Sequence, residues 1–482
     1  MRPAPELDLL TRARERAPDR VFLRDGGASW TFEELARAVD LLLQTHPVHR
    51  ETHLQRDEPP LWCLDAPVSS AWIVFLLAAW RAGHRVLPLG RRLAPAEREA
   101  LLARVGADRV VTPRELENWQ PHLEAARTGP RRETAFHPGA ESWVLTSGSS
   151  GSPRLARLPW TSQVAHAHLS VRTLGLGPDD TWWADLPMNH VGGLGIVVRS
   201  LVSGCSIWLR DRVDPVAMDE ALGAGLVSHV SVVPTTYLDW LAARGDRPVP
   251  VTLKAMLVGG AGSRGVELGR CERALPTYGL TEAGSHVTLG RPGQHATDGW
   301  GDGGWPLPGI EVRLGDPSRT PDPGDEGPIF VRSPGMFTGY VDDPVATKAS
   351  LVDGWLATGD RGQLGDDGRL WIRARESELI VSGGENLAPS EIELAINRVL
   401  PDRVCVVVGR ADRRWGHVPV VVFEGDVPEG WSLERLRDAL DPWLGRHKHP
   451  RDLLALERFP RLPGGKLDRR ALAHWVATEE GS

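Results

Sequence analysis

The chain has 482 residues, with 56 basic against 63 acidic side chains and a formal net charge of −7. This mild acidity excludes a surface built to bind polyanions by bulk charge, so no nucleic-acid partner is expected. An apolar content of 41% is enough for a large core, and at roughly 150 residues per domain the expectation is about three structural units.

The N-terminal stretch places Arg2, Glu6, Asp8, Arg12 and Arg14 before any sustained apolar run. That layout is unlike a secretory signal, and a cytoplasmic location is expected. Thr31-Phe32-Glu33-Glu34 opens a helical pattern with Thr31 as N-cap. Ala71–Trp80 is the longest apolar run; it is about half of the ~20 residues needed to cross a bilayer, so it predicts a core helix ending at Arg81 and no membrane insertion. Arg85–Leu89 reads as a buried strand. Further short apolar runs at Trp143–Leu145, Ser206–Leu209, His229–Val233 and Ala255–Val258 are separated by helix-sized intervals, the pattern of an α/β sheet across most of the first 370 residues.

After Arg375 the pattern changes. Pro389 and Ser390 precede a helix with apolar positions Ile392, Ile396, Val399 and Leu400. Two strands, Val404–Val408 and Val418–Phe423, follow, and Ser432 caps a helix through Leu440. The expected fold is α/β: a large N-terminal domain of layered α/β sheets over residues 1–375, and a small mobile C-terminal α+β domain over 376–482. Arg375-Glu376-Ser377-Glu378 suits a hinge or a plain surface turn. Cys63, Cys205, Cys271 and Cys405 lie far apart, so packed, reduced thiols are expected rather than a zinc site or a disulfide framework. Only four lysines occur, Lys254, Lys348, Lys448 and Lys466. Where chemistry requires a compact ammonium, arginine is no free substitute, which makes a loop lysine a candidate.

Leu145-Thr146-Ser147-Gly148-Ser149-Ser150-Gly151-Ser152-Pro153-Arg154 is a hydroxyl- and glycine-rich loop leaving a short strand. Its N–H groups and hydroxyls could wrap phosphate oxygens. It lacks the Lys-Ser/Thr ending of a Walker loop, and the strand-like Leu155–Leu158 follows instead of a helix. From the loop alone, a flexible linker stays open.

This loop, Tyr278-Gly279-Leu280-Thr281-Glu282, Thr358-Gly359-Asp360, Arg375 ahead of Ser382-Gly383-Gly384-Glu385-Asn386, and Pro463-Gly464-Gly465-Lys466 resemble, in order and approximate spacing, the motifs of the adenylate-forming superfamily. That superfamily holds acyl-CoA synthetases, adenylation domains of peptide synthetases and firefly-type luciferases, and the likeness spans nearly the whole chain. It implies ATP, Mg²⁺ and coenzyme A as co-substrates and cofactor. It also implies that Thr146, Ser147, Gly148, Ser149, Ser150 and Gly151 clasp the β- and γ-phosphates with Arg154 at the loop's end, that Tyr278 stacks on adenine with Gly279 beside it in the nucleotide site, and that Asp360 and Arg375 hold ribose or phosphate. Thr281 would touch the α-phosphate, Glu282 would hold the metal, and Lys466 would bridge carboxylate and α-phosphate. Gly383 and Gly384 would line a thiol channel.

For the acid, Asp185-Leu186-Pro187-Met188-Asn189-His190-Val191-Gly192-Gly193-Leu194 with Arg199 resembles the o-succinylbenzoate-CoA ligase branch of menaquinone biosynthesis. The implied acid-binding residues are His190, Arg199, Gly259, Gly260, Ser285 and His286. Arg199 reads equally well as a surface helix charge. Another aryl- or fatty-acyl-CoA synthetase, or a module loading a carrier protein, remains open, as does self-association. Three positions depart from the family pattern: Arg154 replaces a lysine, Ser377 an Asp or Lys, and Gly464-Gly465 a Ser-Gly pair.

Overall fold

The computed structural model describes residues 7–45, 58–90, 93, 95–131, 133–146, 154–260, 268–294, 301–375, 378–382, 385–401, 403–462 and 467–478. Thr31 and Glu34 form a reciprocal cap. The Glu34 N–H donates to Thr31 Oγ1 at 3.2 Å and the Thr31 N–H to Glu34 Oε2 at 2.8 Å, which starts the helix Phe32–Thr45. Ser69 caps the helix Ser70–Arg81 through the Trp72 N–H, and every residue of that helix is buried. A helix apolar on all sides needs cover on all sides, and this one lies in the main core.

Among the described residues, one sheet runs in the order Ala274–Pro276, Ala255–Val258, His229–Val232, Thr181–Ala184, Ser206–Leu209, Val21–Asp25 and Ala28–Thr31. All neighbours in it are parallel except the last pair. A second sheet runs Gly339–Tyr340, Arg154–Pro159, Glu141–Thr146, Arg85–Pro88, Leu61–Leu64 and Arg109–Val111. The helices Trp160–Leu174 and Val191–Ser203 pack on one another within the main core. In open parallel sheets, ligands bind outside the carboxyl ends of the strands. Here those ends deliver Asp185, Gly259 and Thr277-Tyr278.

The α/β pattern expected over most of the first 370 residues gives way near its end to an antiparallel sheet. Gly301–Pro306, Glu311–Leu314, Glu326–Arg332, Trp355–Leu364 and Leu370–Arg375 form an antiparallel sheet. Strands such as Gly301-Asp302-Gly303-Gly304-Trp305-Pro306 carry no apolar run to announce them.

From Ile380 onward the chain builds a separate sheet with its own apolar clusters. Pro389 is the first residue of the helix Pro389–Val399 rather than preceding it. The hairpin strands run Cys405–Asp412 and Gly416–Glu424. They are longer than their apolar stretches because pairing continues through polar residues to Asp412 and Gly416. Arg469 joins Glu393 at 2.7 and 2.9 Å and also bonds the Val407 carbonyl. All four cysteines are free. Lys254 pairs with the buried Asp180 at 2.7 Å and Lys448 with Glu391 at 2.5 Å. No helix among the described residues is long and apolar enough to cross a membrane.

Candidate active site

The residues expected on the nucleotide side come from the end of the parallel sheet and from the antiparallel sheet. Tyr278 follows the strand Ala274–Pro276, packs against the main core, and donates its hydroxyl to Asp360 Oδ2 at 2.8 Å. Asp360 is 6% exposed, and its own N–H donates to Thr358 Oγ1. It pairs across the strands with Arg375, whose backbone closes the strand Leu370–Arg375. Gly279 and Leu280 pair with His286 and Ser285 in a small antiparallel ribbon. Between these strands lies a single 3₁₀ turn, Thr281–Ala283, ended by Gly284 at φ +90°. A Cβ on Gly284 would sit 2.3 Å from the Gly335 carbonyl oxygen, so only glycine lets the two loops approach.

Glu282 is held from two directions. Its carbonyl accepts the Phe337 N–H at 2.9 Å, and its Oε1 accepts the Tyr340 hydroxyl at 2.8 Å. Thr146 ends the strand Glu141–Thr146 and pairs with Arg154, the first residue beyond the loop. Arg154 is committed to Asp343 at 3.0 Å and stacks over the Tyr340 ring at 5.4 Å. Ser147, Gly148, Ser149, Ser150, Gly151, Gly383, Gly384, Ser377, Gly464 and Lys466 lie outside the described residues. Around the last of these, Arg461 and Leu467 pair in an isolated bridge that draws the two ends of the lysine loop together.

The donor set fits a shared divalent cation. Among the described residues no cluster of three or more His, Cys, Asp or Glu forms a metal cage. Glu282 instead offers one carboxylate whose Oε1 is engaged by Tyr340. Mg²⁺ commonly takes one or two protein carboxylates together with substrate phosphates, and the Glu282 carboxylate could serve as one of them.

Around Arg199, one of the residues expected to bind the acid, a small cavity is lined by Gln163, His166, Val191, Val198, Arg199 and Gly284. Arg199 is 2% exposed, so it is no surface charge. Its Nε and Nη1 are buried with no hydrogen-bond partner among the described residues, and its guanidinium lies over Trp182 at 4.7 Å. Burial pulls its pKa down to about 10. A Cβ on Gly195, one turn earlier, would come within 2.9 Å of Arg199 Nη1, so this glycine clears room for the guanidinium. His166 Nε2 donates to the His286 carbonyl at 2.9 Å, and Ser170 Oγ bonds His286 Nε2 at 3.2 Å. Burial pulls the pKa of His166 down to about 4 and that of His286 well below the usual range, so both imidazoles are neutral at pH 7. His190 caps the helix Val191–Ser203, with its carbonyl accepting the Gly193 and Leu194 N–H groups. Gly259 and Gly260 directly follow the strand Ala255–Val258, and Ser285 lies in the ribbon beside His286. Tyr340, His166, Ser170 and Gln163 escaped the sequence reading. Of these only the Gly339-Tyr340 pair, ahead of Asp342-Asp343-Pro344, carried a signal, that of a turn leading into a helix.

A family profile described as AMP-binding enzyme matches residues 10–341. A 2-succinylbenzoate-CoA ligase of Enterococcus faecalis is 28% identical over 488 residues, spanning 98% of each chain. One from Bacillus cytotoxicus is 34% identical over 366 residues, covering 73% of this chain and 74% of its own. The o-succinylbenzoate CoA synthetase of Bacillus subtilis, solved with its acyl-adenylate intermediate, superposes with TM-score 0.81 at 24% identity, covering 96% of this chain and 97% of that one. The same enzyme solved with ATP and magnesium ion also gives 0.81 at 24% identity, covering 96% and 99%. At that identity the likeness shows the fold. By the extent of the profile match and of the relatives' coverage, the chain belongs to the AMP-binding enzyme family.

Proposed function

We propose that this chain is an ATP-dependent, AMP-forming acid-CoA ligase acting on 2-succinylbenzoate in menaquinone biosynthesis. The observation that carries the acid half is Arg199. A buried guanidinium with unpartnered nitrogens is costly unless an anion meets it, and carboxylate matches its geometry. An aromatic dicarboxylic acid supplies one carboxylate to Arg199 and a second to the reaction, with His166 and His286 as neutral polar neighbours.

In the first step a carboxylate oxygen of the acid attacks the α-phosphorus of ATP. The bond to the bridging oxygen breaks, and pyrophosphate leaves with the electron pair. Tyr278 stacks on adenine, Asp360 accepts from the ribose hydroxyls, Arg375 adds a cation, and Thr146–Gly151 with Arg154 orients the outer phosphates. Magnesium, when bound at Glu282, neutralises phosphate charge. Lys466 bridges the carboxylate and α-phosphate as two anions meet. In the second step the CoA thiol gives up its proton, its sulfur attacks the acyl carbon, and AMP departs with the C–O bonding electrons. Residues 376–482 form the mobile domain that withdraws Lys466 and brings Gly383 and Gly384 to the thiol path.

The test is pyrophosphate release with 2-succinylbenzoate, benzoate, hexanoate and amino acids, each with and without CoA. 2-Succinylbenzoate should give the fastest release, and its CoA thioester should form. Turnover with an amino acid only, without a thioester, would move the assignment to a carrier-loading module.

A further inference from the structure

We propose that Tyr340 is a positioning residue for adenylation: its hydroxyl fixes the Glu282 carboxylate so that one oxygen is held by protein and the other faces the cation. The inference rests on the metal role given to Glu282 above. Among the described residues, the Tyr340 hydroxyl is the one hydrogen-bond donor to that carboxylate, at 2.8 Å to Oε1. Glu282 sits on a single 3₁₀ turn, and so short an element cannot by itself fix a long, flexible side chain.

Tyr340, in contrast, is fixed on every side. Its strand pairs with Arg157 and Ala156, and its N–H donates to Thr347 Oγ1 at 2.8 Å. Phe337 packs edge-on against its ring at 4.9 Å, and the Arg154 guanidinium covers it at 5.4 Å. Arg154 is anchored in turn by Asp343, whose other oxygen accepts the Ala346 N–H at the start of the helix Pro344–Ser350. The residue that departs from the family's lysine is therefore built into the support of the metal carboxylate.

Tyr340→Phe keeps the ring and deletes the hydroxyl. Pyrophosphate release is measured against Mg²⁺ concentration at saturating ATP and acid, with Glu282→Gln assayed in parallel. The Mg²⁺ concentration for half-activation should rise about tenfold or more in Tyr340→Phe, the loss of one bond to a charged acceptor, while the KM for acid and the thermal midpoint stay at wild-type values. An unchanged Mg²⁺ response in Tyr340→Phe alongside a shifted one in Glu282→Gln overturns the positioning role alone. A lower thermal midpoint with an unchanged Mg²⁺ response also overturns it, by making Tyr340 merely structural. Unchanged responses in both variants overturn the metal assignment of Glu282 and this inference with it.

Discussion

The Tyr278 hydroxyl and the Asp360 carboxylate are joined by a 2.8 Å hydrogen bond between the core of the parallel sheet and a strand of the antiparallel one. The ring proposed to stack on adenine and the acid proposed to hold ribose are thus set by one contact. Tyr278→Phe should raise the KM for ATP about tenfold, the scale of a bond to a charged acceptor, with the KM for acid unchanged. Steady-state kinetics decide this, and an unaltered KM for ATP would refute the coupling.

Arg199 should show a trade between stability and binding. Arg199→Met replaces a buried cation with an apolar chain of similar length, so the thermal midpoint should rise while the KM for 2-succinylbenzoate rises at least tenfold. Differential scanning fluorimetry and acid titration read the two effects. A lowered midpoint together with an unchanged KM would make Arg199 a structural residue.

Asp185 is 5% exposed and accepts the Trp183 indole N–H at 3.0 Å, and burial lifts its pKa from 3.8 to about 6. Between these values the folded carboxyl keeps a proton that the unfolded one has lost. Stability therefore falls as pH rises from about 4 to 6, and the deficit persists above that window. Asp185→Asn retains an acceptor for Trp183 and should gain about 3 kcal/mol at pH 7.5, with little gain at pH 4. Denaturant midpoints at the two pH values check this, and equal gains would point to packing instead of charge.

In the C-terminal sheet, Arg469 ties the helix after the lysine loop to Glu393 and to Glu378 at 3.8 Å. Arg469→Met leaves Glu393 without its cation and should cost about 2 kcal/mol, discounted for the partial exposure of both partners. Limited proteolysis should cut residues 378–478 sooner in the variant; wild-type resistance would show that the pair contributes little.

Lys466→Ala should abolish pyrophosphate release, while thioester formation from supplied acyl-adenylate continues. Undiminished ATP consumption would remove the lysine from the first step.

Much of this architecture was legible because local rules agreed with the tertiary fold. Thr31 with Glu34, the uninterrupted apolar helix to Arg81, and the Val- and Leu-rich parallel strands each state their structure in adjacent residues. The antiparallel sheet around Gly301–Pro306 and Trp355–Leu364 does not, because its pairing partners are remote and its strands mix glycine with charge. The same distinction governs the site. Motif order selected Tyr278, Glu282 and Asp360, but sequence left Arg199 divided between solvent and interior, since only the surrounding helices and Trp182 decide its burial. Tyr340 was missed because its importance lies in a contact with Glu282, distant along the chain.

The scarcity of lysine has a practical corollary. Two of the four ammonium side chains, Lys254 and Lys448, are tied to carboxylates. Amine-directed isotopic tags, read by mass spectrometry during turnover, would therefore follow the accessibility of Lys466 against three internal reference peptides. With four lysines in 482 residues, the shielding and release of one of them can be timed against a sparse background.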